Sequence, residues 1–185
     1  MIQIELDSIK ISSSFDSMYK YIHENLIRLW KDCIKEFIYI VSENIAVDTG
    51  MSMASLYPLA TKVRLGTLIE SLSHGFGPKI GHKNLTGKFA SNNARYKSRE
   101  LGKRLGNQAY KLSFGVPKNP ELVFEFEIVV FQYFLHENGL GLNSNNIWNT
   151  LEKGKLAFVK YWEDNADKYI KVKDIYNYLN GDLNG

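Results

Sequence analysis

The chain has 185 residues, 44% of them hydrophobic and 13% aromatic, which suits one compact domain over 1–185 and is too short for two comfortable ones. Cys33 is the only cysteine, which excludes an internal disulfide and a cysteine-based metal cage and fits a reducing cytoplasm. The net charge of +3 is mild but unevenly placed: residues 79–111 hold nine cations against Glu100 alone, a net +8 that leaves −5 for the rest.

At the start, Ile2, Ile4 and Leu6 alternate as an edge strand would, with neither the basic start nor the apolar stretch of a secretory signal. No run of about twenty apolar residues follows anywhere, so a soluble, unexported chain with no membrane contact is expected. Ser12-Ser13-Ser14 supplies helix N-cap candidates. Beyond them Phe15, Tyr19, Ile22, Leu26, Leu29, Cys33, Phe37 and Ile40 recur at steps of three and four. A second stripe, Ile27, Ile34, Ile38, Val41 and Ile45, widens that face into a long amphipathic helix, roughly 45 Å if it runs for about thirty residues.

Ile45-Ala46-Val47-Asp48-Thr49-Gly50 stands where this helix runs out. Met51 to Tyr57 reads as a short helical piece that Pro58 interrupts, and Leu59 to Ser73 as a further helix ended by Gly75. From about 76 to 109 the chain is rich in Lys, Arg, Asn, Ser and Gly without apolar periodicity, and reads as a long mobile basic loop. The period then changes to two. Tyr110, Leu112, Phe114 and Val116, the turn Pro117-Lys118-Asn119-Pro120, and Leu122, Phe124, Phe126, Ile128 and Val130 form a β-hairpin, with Phe131 to Leu135 continuing its second strand. After a polar loop through Asn146, the residues Trp148, Leu151, Phe158, Val159, Trp162, Ala166, Tyr169 and Ile170 return to helical spacing, and about 172–185 is a C-terminal extension. The fold expected is α+β: a long N-terminal helix and a C-terminal helix packed on a small antiparallel sheet, with the basic loop between.

An Asp-Thr-Gly is also how a retroviral-type aspartic protease presents its catalytic carboxylate, two of which share a proton across a dimer. Those enzymes are nearly all β and their triplet follows a strand, whereas Asp48 follows some thirty residues of helical period. The structural reading is that Asp48 or Thr49 caps the next helix while Gly50 eases the turn. His136-Glu137 lacks a second histidine at zinc-protease spacing, and His74 and His82 sit in a glycine-rich loop without acids or cysteines at ligand distance, so no metal or cofactor is expected. Gly81 to Lys88 departs from a phosphate loop in its glycine spacing and in Phe89, which stands where the magnesium-binding hydroxyl belongs. Trp148, Trp162 and the tyrosines read as core packing before they read as a base-stacking platform. The basic stretch offers Lys79, Lys83, Lys88, Arg95, Lys97, Arg99, Lys103 and Arg104 as residues that face either nucleic-acid phosphates, without reading sequence, or an acidic neighbour such as another copy of the chain.

The layout resembles the neck or tail-completion proteins of tailed bacteriophages, small structural proteins encoded among the head–tail joining genes of lambda-like phages. The residues that carry it are the long first helix, Val47-Asp48-Thr49-Gly50 followed by Met51-Ser52-Met53-Ala54-Ser55-Leu56, the polar loop, and the terminal strand then helix. The likeness covers most of the chain in layout and about ten residues in motif. The long basic excursion and Val172 to Gly185 depart from the family pattern. What the resemblance implies is a non-enzymatic virion protein that forms a ring of copies about the head–tail axis and joins or seals the DNA-filled head to the tail. Its partners would be portal, adaptor and tail proteins, with non-specific contact to packaged DNA. It would reside in the host cytoplasm during assembly and in the virion neck afterwards. No catalytic residue carries over from that family. Competing with it are a sequence-independent nucleic-acid-binding protein and the protease.

Overall fold

The computed structural model describes residues 8–45, 50–75, 92–119, 121–126 and 144–180. The first helix, α1 (Ser8–Asn44), is 37 residues long, about 55 Å at the usual rise. It begins before the serine cluster, so Ser12-Ser13-Ser14 lies inside the helix and not at its cap. Serine costs a helix interior only a few tenths of a kcal/mol, and tertiary packing outweighs that. Ile2, Ile4 and Leu6 lie outside the described residues.

Three short helices follow: α2 (Met51–Ser55), α3 (Tyr57–Lys62) and α4 (Gly66–Gly75). Pro58 does not interrupt a helix but sits in the first turn of α3, where its missing N–H is not needed. The single helix expected over Leu59 to Ser73 is instead divided at Arg64, whose φ of 66° is left-handed. There the Leu65 N–H donates to the Ala60 carbonyl at 2.8 Å and the Arg64 N–H to Thr61 at 3.3 Å, a Schellman ending with arginine where glycine is usual.

The basic loop also needs correction. Its residues 76–91 lie outside the described part, but α5 (Asn92–Ala109) is an 18-residue helix that runs directly into the first strand. The strands β1 (Tyr110–Ser113) and β2 (Val123–Phe126) are antiparallel, pairing Tyr110 with Phe126, Lys111 with Glu125 and Leu112 with Phe124. β1 is shorter than its alternation suggested, and the expected continuation of β2 from 127 to 135 is outside the described residues. The last helices are α6 (Ser144–Tyr169) and α7 (Val172–Asn180); the expected extension is therefore helical as far as 180.

α1 and α6 form an antiparallel pair. Thr150 Oγ1 donates to the Asn44 carbonyl at 3.3 Å, and Gly154 meets Val41 and Phe37. Further along, Trp30 sets its ring edge-on to Phe158 at 4.8 Å and Trp162 at 5.7 Å, so Trp162 is a packing residue. A methyl on Gly154 would stand 2.6 Å from Val41 Cγ2, so the glycine sets how closely these helices approach. Phe124 of β2 sits at the seam, 5.4 Å from Phe37 and 5.9 Å from Phe158, which lays the sheet over both long helices as the sequence implied. The C-terminal half of α1 turns Ile34, Phe37, Ile38 and Val41 into a core shared with Met51, Met53, Leu56, Leu59, Val63 and Ile69 from α2 to α4. Phe15, Tyr19 and Val159, read as core from their spacing, stand partly exposed.

Candidate functional site

Two features singled out by the sequence meet in one place: the junction after α1 and the cationic helix α5. Asp48 and Thr49 lie outside the described residues, so their capping role does too. The N-cap position of α2 belongs to Gly50, which has a φ of 84°, uses no side-chain cap, and accepts the Ala54 N–H at 2.8 Å. A methyl there would meet the Ser73 carbonyl oxygen at 2.5 Å and Arg99 Cγ at 3.2 Å. Only glycine satisfies both the left-handed backbone and that space. The described residues before the triplet are helical as far as Asn44, whereas an aspartic-protease loop follows a strand.

All five residues of α2 are buried, and α5 explains how. Gly102 and Gly106, one turn apart, lie flat against the Met51 and Ser55 carbonyl oxygens, so close that a Cβ on either would overlap backbone. Ala109 continues this small-residue stripe one further turn on, also buried. The glycines that made this segment look like a loop are what allow two backbones to touch. Next to the stripe, the Tyr110 hydroxyl is buried beside Ser55, and burial pushes its phenol above the usual range.

This docking sorts the eight candidate cations. Lys79, Lys83 and Lys88 lie outside the described residues. Lys103 is turned inward: its Nζ is 3.0 Å from Glu70 Oε2 and 3.2 Å from Glu100 Oε1, and it stands 4.8 Å above the Tyr57 ring. Partial burial would lower its pKa, but hydrogen bonds to Glu70 and Glu100 outweigh that and raise it. Lys103 is therefore a structural cation and not an outward-facing one. His74, expected in a loop, occupies the last turn of α4 and meets Glu70 at 3.2 Å. Arg99 lays its aliphatic stem along Gly50 and is half-buried, as is Arg95. Lys97 and Arg104 remain exposed, with Glu100 between them and Tyr96 beside them at 59% exposure. The Glu70–Lys103–Tyr57 cluster was invisible in the sequence because Lys103 is over thirty positions from both of its partners. The Gly102, Gly106, Ala109 spacing of four and three was a legible signal, read as loop composition.

A second polar cluster ties α1 to the last two helices. The Tyr169 hydroxyl donates to Asp32 Oδ2 at 2.6 Å, Lys35 Nζ meets Asp32 Oδ1 at 2.6 Å, and the Tyr161 and Tyr169 hydroxyls share a bond of 3.2 Å. Tyr21 donates to Asp174 Oδ2 at 2.7 Å, which holds α7 against α1. Burial would raise the Asp32 carboxyl, but its bonds from Lys35 and Tyr169 keep it below the ordinary carboxylate value. Cys33 is fully buried and its thiol is pushed up to about 12 by burial, so it behaves as a core residue and not as a nucleophile. Among the described residues no three His, Cys, Asp or Glu side chains converge as a metal site would need, and no helix is long and apolar enough to cross a membrane.

Compared with protein-family models, with curated proteins and with solved structures, the chain matches none.

Proposed function

We propose that this chain is a structural subunit of the neck of a tailed bacteriophage, of the tail-completion or connector kind, which joins or seals the DNA-filled head to the tail and performs no chemistry. The observation that supports it most is the junction after α1. Its Asp-Thr-Gly leads from a long helix into a short, wholly buried one, and its glycine is held by backbone contacts. That is how a motif behaves whose residues shape a fold. In this reading, copies of the chain surround the head–tail axis and touch portal or adaptor proteins on one side and tail proteins on the other. It is present in the host cytoplasm until assembly and in the virion neck afterwards.

The test is electron microscopy of particles made when this gene alone is disrupted in its native genome. Filled heads and finished tails lying apart are the expected result. Normal joined virions would refute the proposal.

Exposed Tyr96 beside Lys97 and Arg104 favours a second reading, sequence-independent nucleic-acid binding. Each phosphate neutralised on duplex DNA contributes about −0.9 to the slope of log affinity against log salt. A slope steeper than about −5 on duplexes of unrelated sequence would require most of the eight cations and would favour this reading. No measurable binding, or binding confined to one duplex sequence, would dismiss it.

A further inference from the structure

We propose that α7 is a strap that swings on and off α1 as a unit, hinged at Lys171 and latched by the Tyr21 hydroxyl. The inference concerns the attachment of one helix and stands whether or not the neck reading does. No residue of α7 is buried. α6, by contrast, buries Thr150 and Leu151 and seats Gly154 against Val41 and Phe37. Among the described residues, the hydrogen bonds and ring contacts that tie α7 to α1 come from one side chain. The Tyr21 hydroxyl donates to Asp174 Oδ2 at 2.7 Å, and its ring lies 5.2 Å from that of Tyr178. The same hydroxyl accepts the Lys171 N–H at 3.5 Å, so it sits at the hinge as well as on the helix.

The backbone is built to turn there. α6 ends at Tyr169 and α7 begins at Val172. The Ile170 N–H donates back to the Ala166 carbonyl at 3.0 Å, which belongs to α6. The Lys171 carbonyl accepts the Asp174 N–H at 3.0 Å and the Ile175 N–H at 3.2 Å, which belong to α7. A bend between Ile170 and Lys171 keeps both sets of bonds.

α1 takes only the margin of the strap's apolar face. At the helical step, Tyr178, Ile175, Leu179, Val172 and Tyr176 fill an arc of about 160°. Tyr178 at one edge meets Tyr21, whereas Val172, Tyr176 and Leu179 further round are 81%, 63% and 47% exposed. An isolated helix of this length is marginal in water, and contact along one edge adds little to it. Segments with few buried apolar contacts open separately from the core, at a free energy well below that of global unfolding. Closed, the strap draws in Tyr178 and Ile175, both half-buried; open, it carries all five apolar residues on one uncovered face.

The experiment is peptide-resolved amide hydrogen exchange on the full chain, in buffer and in low urea, with folding of every variant verified by circular dichroism. In wild type the amides of 174–180 should exchange at least about a hundredfold faster than those of 29–41 and 151–162, yet slower than an unstructured chain. Low urea should change their rates little, because opening a strap exposes little surface. Tyr21→Phe keeps the ring and removes the hydroxyl, and should speed exchange of 174–180 about three- to tenfold while 29–41 and 151–162 stay as they were. Asp174→Ala should act in the same direction, and the double variant should add little to the larger single effect, since both changes remove one bond. Wild-type rates for 174–180 equal to those of 29–41, or to those of an unstructured chain, would overturn the proposal. So would a Tyr21→Phe effect that is absent from 174–180 or spread evenly over the chain, or effects of the two substitutions that simply multiply.

Discussion

Asp32 of α1 is held from two sides: Lys35 reaches it from the next turn and Tyr169 from the far end of α6. Its folded-state pKa lies below the ordinary 3.8, so it adds stability that is present above that value and lost as pH falls through it. Tyr169 titrates in the opposite sense. Burial, then its bond to Asp32, raises its phenol above the ordinary 10.0, so its contribution fades as pH climbs beyond 10. Asp32→Asn should therefore lower thermal stability at pH 7, by about 1–2 kcal/mol after allowance for solvent screening. The gap from wild type should close as the melts are moved from pH 6 to pH 2. A gap that stays constant over that range would show that the ionised carboxylate is not what holds α6.

At the scale of elements, the contact that decides the fold's second half is α2 against α5. Gly106→Ala places a methyl on the Ser55 carbonyl, and the helices must separate or bend to admit it. Overpacking of this kind costs about 1–3 kcal/mol, more than the helix propensity that alanine returns, so the urea midpoint should fall. A midpoint equal to or above wild type would mean that α2 and α5 do not touch there. The same contact shows why the sequence was legible in some places and not in others. α1, α6 and the hairpin could be read because each has an apolar face with a fixed period. α5 could not, because its buried face consists of Gly102, Gly106 and Ala109, which carry too little apolar surface to register as a stripe. α7 was missed for a related reason: it is docked by Tyr178 against the Tyr21 ring and by the Tyr21–Asp174 bond, with no residue fully buried. At the candidate site, Gly50 and the cations were visible as residues. Which cations point outward depended on Glu70 and Tyr57, and distance along the chain hides such partners.

For the whole molecule, α1 is the shared wall. Its C-terminal half closes the core of α2 to α4, its flank supports the sheet through Phe37, and from Asn44 back to Tyr21 it is lined by α6 and α7. The partners of that last interface are remote: Asn44 bonds Thr150, Asp32 bonds Tyr169 and Tyr21 bonds Asp174, so the separation reaches 153 positions. This bears on synthesis. At about 5–20 residues per second, roughly 5–30 s elapse between the emergence of α1 and that of the helices that cover it. Through that interval Trp30 and Phe37 lack their neighbours on α6. Hydrophobic-binding chaperones are therefore expected to hold the nascent chain until α6 and α7 emerge, which cross-linking to ribosome-bound chains truncated before 144 would check.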